Sequence, residues 1–337
     1  MDIDIVVLWV DGNDTNWKNQ KNKYLKLSPL KNVSFSDFSE SRFRDWGFMR
    51  YWFRGIEKFA PWIRKIHFVT WGHVPEFLDV SNDKIHIVNH KDIIEEKYLP
   101  TFNSCAIEIN INKIKGLSEQ FIYFNDDQFL INNVSKKDFF VNGLPCEEGL
   151  QGTITSVGDK NSYCHQLLND IDIINRNFNK KRQINKNLSK WFNLKYRINM
   201  IRNIMLYPWE NFTGFKNSHL PVPVLKSTME NVWAAEYDVL NKTTADKFRS
   251  FYDVNQYVFR YWQLAEGKFY PRNSIGKMYE IHDDNVEVIA EKICNSKLKT
   301  ICLNDPNEPI NFERCKRKLQ ESFDKVLNEK CEFEKDY

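Results

Sequence analysis

Residues 121–124, Phe-Ile-Tyr-Phe, run directly into Asn125-Asp126-Asp127. Aromatic and β-branched side chains suit a pleated surface that is covered, so the run reads as a short buried strand. It stops where a carboxamide and two adjacent carboxylates begin. In an open α/β sheet, ligands sit beyond the carboxyl ends of the strands. Two acids at that place face a ligand and suit a hard cation such as Mg²⁺, itself a bridge to phosphate oxygens. Taken alone, the triplet also fits a solvated turn after a core strand.

The chain before it has the makings of such a sheet. Residues 3–10 form a first buried strand, followed at once by Asp11-Gly12-Asn13-Asp14. A strand and then an acid-glycine turn is how a nucleotide-binding α/β domain often opens. Asp11 is placed to bind a base, a ribose hydroxyl or a metal, unless the tetrapeptide is simply a turn. A long helix is expected over 42–59, ended by Ala60-Pro61, with Trp46, Met49, Phe53, Ile56 and Ala60 as its buried stripe. Arg42, Arg44 and Arg50 gather toward its start beside Asp45. Guanidinium forks match phosphate oxygens, so this end suits a diphosphate; Arg–Asp pairing on a solvated face is the alternative. Strands at 66–70 and 85–88 lead to Trp71-Gly72-His73 and to Asn89-His90-Lys91-Asp92. Asn103 is the expected N-cap of a helix carrying Ile107, Ile111 and Ile114 on one face.

Strands alternating with helices over the first 130 residues predict a mainly parallel, Rossmann-like sheet. The absence of G-x-G-x-x-G and of G-x-x-x-x-G-K-[ST] counts against a dehydrogenase or a P-loop NTPase. At 337 residues, with 42% hydrophobic and 28% charged, the chain suits one large soluble domain, or a domain with an insertion. A net charge of +3 gives no global argument for nucleic acid, and none is expected as a partner. Seven cysteines, an odd number with no C-x-x-C, point to reduced thiols. The opening has no basic region, and its apolar run is too short for a leader or a membrane span. A cytoplasmic location is expected.

From about residue 150 the composition changes. Residues 176–202 hold nine Lys and Arg and no acid, and lead into an aromatic, aliphatic run ending at Trp209. Such a segment either packs its apolar face on the core or lies on an anionic surface, and both can hold at once. His219 precedes Pro221 and Pro223, whose rings impose an extended backbone, and is a candidate base. Helices are expected at 229–240, 254–264 and 313–328. A last strand at 299–303 ends in Asn304-Asp305, again an acid at a strand end.

These pieces together resemble the Stealth family, sugar-phosphate transferases of bacterial capsule synthesis. The resemblance runs through IDIVVLWVDGNDTNW, then RFRDWGFMRYWFRGIEKFAPWIRKIHFVTWG to GLSEQFIYFNDDQFL, then HLPVPVLKSTMENVW with FRSFYDVN, and finally KTICLND. It implies an α/β fold with a glycosyltransferase-A-type, mainly parallel sheet. The nucleotide-sugar-binding catalytic domain would comprise 1–149 and 216–310, with a basic, mostly helical insertion at 150–215 and a C-terminal helix at 311–337. The implied reaction moves a hexose- or N-acetylhexosamine-1-phosphate from a UDP-sugar to a sugar hydroxyl, forming a phosphodiester and releasing UMP. The acceptor would be a polysaccharide or a lipid-linked glycan; independently of the resemblance, the basic, aromatic composition of residues 176–209 suits an anionic membrane surface. Asp126 and Asp127, with Asp305 closing the site, would hold Mg²⁺ or Mn²⁺. Asp11, with Gly12 and Asn13, would hold the nucleotide-sugar; Arg42, Arg44 and Lys226 would neutralise the diphosphate. Asp45, Arg50, Asn103 and Asn125 complete the expected substrate contacts. His219 is the expected general base, because imidazole titrates near neutrality, with Asp127 as the rival. A metal-dependent glycosyltransferase releasing UDP and a non-catalytic glycan-binding protein are the alternatives.

Overall fold

The computed structural model describes residues 2–27, 44–156, 158, 162–306 and 308–336. The strands in chain order are β1 (Ile3–Leu8), β2 (Ile66–Thr70), β3 (Ile85–Asn89), β4 (Gln120–Phe124), β5 (Gln128–Leu130) and β6 (Phe140–Val141). They continue with β7 (Leu144–Glu147), β8 (Val222–Leu225), β9 (Tyr270–Pro271), β10 (Gly276–Glu280) and β11 (Thr300–Asn304). The central sheet has the order β3-β2-β1-β4-β8. Its first four strands are parallel, with Ile5 between Ile66 and Ile122, and β8 is antiparallel, with Gln120 opposite Leu225.

Both faces of this sheet are covered, which is why its strands read as continuous apolar runs. Ile5, Val7, Ile122 and Phe124 pack under the helix Met49–Phe59. Val6, Phe121 and Tyr123 face a second core containing Ile107, Met229, Val258 and Leu264. The chain winds from β1 outward to β3 and then returns to lay β4 on the other side of β1. That reversal opens a crevice between the carboxyl ends of β1 and β4, the switch point where α/β sheets bind ligands.

Several expected boundaries move. The helix expected over 42–59 starts at Met49. Gly47 takes a left-handed φ of +71°, and its N–H donates to the Asp45 carboxylate at 2.7 Å, a local turn that excludes helix there. The helix predicted after Asn103 is Ser104–Glu108 followed by a 3₁₀ turn at Ile111–Lys113. Residues 226–245 form two helices that meet at Glu236, and the next begins at Tyr257. The helix expected over 313–328 is Phe312–Val326. Between Gln151 and Phe215, which form an isolated antiparallel bridge, the described secondary structure is helical. Its longest helix, Tyr163–Asn177, buries Leu167, Ile171 and Ile174 in the second core.

Candidate active site

The crevice is a cavity of about 300 Å³. Leu8, Trp9 and Val10 line it from the end of β1, Asn125 to Asp127 from β4, and Leu303 to Asp305 from β11. His219 closes one side and Arg44 to Trp46 another. Strand direction decides which residues reach it. Because β8 runs antiparallel to β4, the residues before β8 lie at the ligand edge and those after it at the opposite edge. His219 is therefore in the cleft. Lys226, expected on the diphosphate, has its N–H on the Glu119 carbonyl below the start of β4, and its ammonium lies 3.8 Å from Glu230.

Asp127 is the hub. Its Oδ2 accepts from the Cys302 thiol at 3.3 Å and lies 3.5 Å from His219 Nε2. The other His219 nitrogen, Nδ1, is 3.3 Å from the Tyr257 hydroxyl. His219 has a left-handed φ of +47°, a costly conformation for a residue with a Cβ, held by the proline-stiffened strand that follows. Burial, and then the Asp127 charge, push the Cys302 thiol well above its ordinary value. It is thus a neutral donor that orients Asp127, not a thiolate.

Asp127 Oδ1 is buried and has no hydrogen-bond partner among the described residues. Asp126 reaches the solvent of the cleft, yet desolvation by the surrounding walls, and then the charges of Asp127 and Asp45, push its carboxyl up to about 7. An orphaned carboxylate oxygen beside a repelled neighbour is an environment that a divalent cation would relieve. Asp127, His219 and Cys302 bring one possible ligand atom each within 4.8 Å of one another. The protonated thiol makes Asp127 and Asp126 better donors than Cys302. Asp305, expected on the metal, instead gives both oxygens to the Arg44 guanidinium. Arg44 also lies 4.6 Å from the Phe312 ring centre, so it forms a braced wall of the cleft.

Other expected contacts fall elsewhere. Arg42 lies outside the described residues. Arg50 pairs with Glu334 and stacks over Phe77, away from the cleft. Asn103 is fully buried: it caps its helix at the Cys105 N–H and donates to Asp253 at 2.9 Å, a structural role. The Asp11 carboxylate accepts the Asn13 N–H and shapes its turn, with Gly12 buried within it and Asn13 exposed. The Asp11 N–H donates to His73 Nε2 at 2.8 Å.

Cys302, Tyr257, His90 and Arg249 belong to the site and were not singled out by the sequence. His73 and His90 follow β2 and β3 at their carboxyl ends, the same rule that picked out Asp11 and Asp126. His90 lines the cavity, and burial, then His73, push its imidazole down to about 4. Arg249 also lines the cavity and donates to the Ser104 hydroxyl at 2.6 Å. It lies in the FRSFYDVN stretch that carries the resemblance, but nothing local gives it a role, because its partner Ser104 is 145 residues away.

Residues 1–28 match Stealth protein CR1, conserved region 1, and residues 42–146 match Stealth protein CR2, conserved region 2. A capsular polysaccharide phosphotransferase, WcwK, of Streptococcus pneumoniae is 44% identical over 99% of this chain and 98% of its own length. The chain belongs to the Stealth family. Two further relatives are the exopolysaccharide phosphotransferase cps2G of Lactiplantibacillus plantarum and the receptor polysaccharide phosphotransferase WefC of Streptococcus gordonii. The first is 39% identical over 99% of this chain and 96% of its own, the second 38% identical over 98% of each. With phosphotransferases matching along its full length, this Stealth chain is a transferase. Among solved structures, the galactosyltransferase LgtC with donor and acceptor sugar analogues superposes at a TM-score of 0.39 and 9% identity, over 94% of this chain and 95% of that one. Mouse xyloside xylosyltransferase 1 gives 0.38 and 12%, over 92% and 100%. The likeness is weak at those scores, and the mainly parallel α/β sheet of this Stealth protein stands on its own strand pairing.

Proposed function

We propose that this Stealth protein transfers a sugar-1-phosphate from a UDP-sugar to a hydroxyl of a capsular or surface polysaccharide, or of its lipid-linked precursor. The observation that carries the reading is the Asp127–His219 contact at the switch point, 3.5 Å between carboxylate oxygen and imidazole nitrogen, in a cleft of about 300 Å³. The acceptor oxygen attacks the phosphorus that carries the sugar. Its bond to UMP breaks, a phosphodiester forms, and the hydroxyl proton passes to His219. The Asp127 carboxylate favours the imidazolium that results, and the Tyr257 hydroxyl at Nδ1 fixes the ring. Arg249, and Arg44 braced by Asp305, supply positive charge to the cleft wall, so positioning and electrostatics provide the catalysis. A divalent cation held by Asp127 and Asp126 would neutralise phosphate charge.

Nucleotide product analysis tests this. With a panel of UDP-sugars, Mg²⁺ or Mn²⁺ and a capsule-type oligosaccharide, UMP is expected, and only when acceptor is present. UDP as the product would make the protein a glycosyltransferase instead. His219→Ala should abolish most turnover while donor binding, measured by calorimetry, persists. Retained turnover in that variant would remove His219 as the base, and Asp127→Asn would then be the variant that binds donor and fails to turn over.

A further inference from the structure

The helix Ile201–Leu206 is turned inside out. The side chain that holds it to the body is polar: Asn203 is fully buried, accepts the Gln151 N–H, and donates to the carbonyls of Gly149 and Trp191. Three of its four large apolar side chains face water, and Leu206 is half-buried. Ile201, Ile204 and Met205, at helical spacing on one face, are all exposed, Met205 to 65%. Leu194 and Ile198 on the preceding turn are 84% and 80% exposed, and Trp209 follows at 55%. This is not a loose end. Trp191 and Tyr196 are wholly buried, and Arg197 between them and Ile198 takes a left-handed φ of +51°. Six large apolar side chains exposed between residues 194 and 209, on a backbone anchored by buried Trp191, Tyr196 and Asn203, mark an interaction surface.

The chain leading into it is cationic, and Glu210, directly after Trp209, is an exposed acid at its end. Residues 176–202 carry nine Lys and Arg and no acid, and Arg182, Lys186, Arg197 and Arg202 are exposed. At the foot of the patch Lys195, next to Leu194, joins Lys137 and Arg272 around a separate cavity of about 280 Å³. The Lys195 ammonium donates to the Pro271 carbonyl and lies over the Tyr270 ring. Arg272 Nε is buried in this hollow with no hydrogen-bond partner among the described residues. The acid that lines it, Asp138, is engaged by Lys299 and by the Ser135 N–H and hydroxyl. An unsatisfied guanidinium N–H and two lysines suit a phosphate oxygen.

We propose that this face seats on an anionic phospholipid bilayer. Leu194, Ile198, Ile201, Ile204, Met205 and Trp209 enter the interfacial region, where aliphatic chains and an indole are favoured. The surrounding arginines and lysines draw the anionic surface, and the Lys137–Lys195–Arg272 hollow takes one lipid phosphate. Charge complementarity selects this occupant over a second copy of the chain, because a self-contact would bring two such cationic rims together. No described helix is long and apolar enough to cross a membrane.

Co-sedimentation of the full chain with vesicles tests the assignment. Binding is expected to phosphatidylcholine vesicles that contain phosphatidylglycerol, and to weaken as salt is raised. Ile198→Asp with Met205→Asp should lower the partition coefficient at least about tenfold, because two aliphatic side chains no longer enter the interface. Lys195→Glu should reduce binding to the anionic vesicles alone. Ile198 and Met205 are exposed, so the thermal midpoint of the double variant should match the parent. No binding at low salt, binding unchanged in the double variant, or equal binding to pure phosphatidylcholine would each overturn the proposal. So would a dimer in sedimentation equilibrium that the double variant converts to monomer, which would assign the face to a second copy.

Discussion

Replacing Arg260 by methionine should cost more stability than any exposed charge in the molecule and should disturb His219 without touching it. The Arg260 guanidinium donates through Nε and Nη2 to the Glu147 carboxylate at 2.9–3.0 Å, and through Nη1 to Asn217 Oδ1 at 3.0 Å. Asn217 in turn donates to the Tyr261 hydroxyl at 2.6 Å, and it stands two residues before His219. Both charged side chains are only 7% exposed. Removing the cation leaves Glu147 buried and uncompensated, a loss of about 3–5 kcal/mol. For a chain of this length the unfolding entropy is roughly 0.7 kcal/mol per degree, so the thermal midpoint should fall by about 4–7 °C. The double variant Glu147→Leu with Arg260→Met should lose much less than the sum of the single losses, because no unpaired charge remains. In the single variant kcat should fall more than donor KM rises, since the segment carrying His219 has lost its tether. Calorimetric melting of the two singles and the double forms the cycle. A midpoint within about 1 °C of the parent in Arg260→Met would refute the reasoning, as that is the size expected for a solvated pair.

Gly55→Ala should destabilise even though alanine is the better helix former by about 1 kcal/mol. The new Cβ would stand 2.9 Å from the Leu130 carbonyl oxygen in β5, and overpacking of that kind costs about 1–3 kcal/mol, which urea midpoints would show. Burial alone would raise the Asp4 carboxyl, but hydrogen bonds from His67, Arg64 and the Ser118 N–H outweigh it and hold it below its ordinary value. Its stabilisation is therefore complete above about pH 4 and is lost as pH falls through the depressed folded value. Asp4→Asn should lower the urea midpoint at neutral pH and flatten its fall in acid; an unchanged acid limb would contradict this. With its carboxyl near 7, Asp126 in metal-free protein should show a protonated carboxyl infrared band that disappears between about pH 6 and 8. That band should be missing from Asp126→Asn, and its persistence there would assign it to another group.

Much of the sheet was legible in the chain itself. Residues 66–70 are β2 as expected, and 85–88 and 121–124 fall within one residue of β3 and β4. Strands buried on both faces are runs of apolar residues, and such runs stop abruptly. Asp126 and Asp127, at the end of β4, line the cleft beside the end of β1, because parallel strands end at the same edge, and Asp305 joins them from β11 of a separate sheet. The N-cap at Asn103 was legible for the same reason, since a cap acts within two residues. What the sequence left open depends on which strand pairs with which, and in which direction. Only the antiparallel placement of β8 puts His219 in the cleft and Lys226 at the far edge. Only the pairing of β11 with β5 brings Cys302 to Asp127 across 175 residues. Arg44 met Asp305 rather than a solvated neighbour for a like reason, 261 residues apart. Local propensity and periodicity act over a few residues. Contacts between distant segments are chosen by the burial of the whole core, and that choice exists only once the chain has folded.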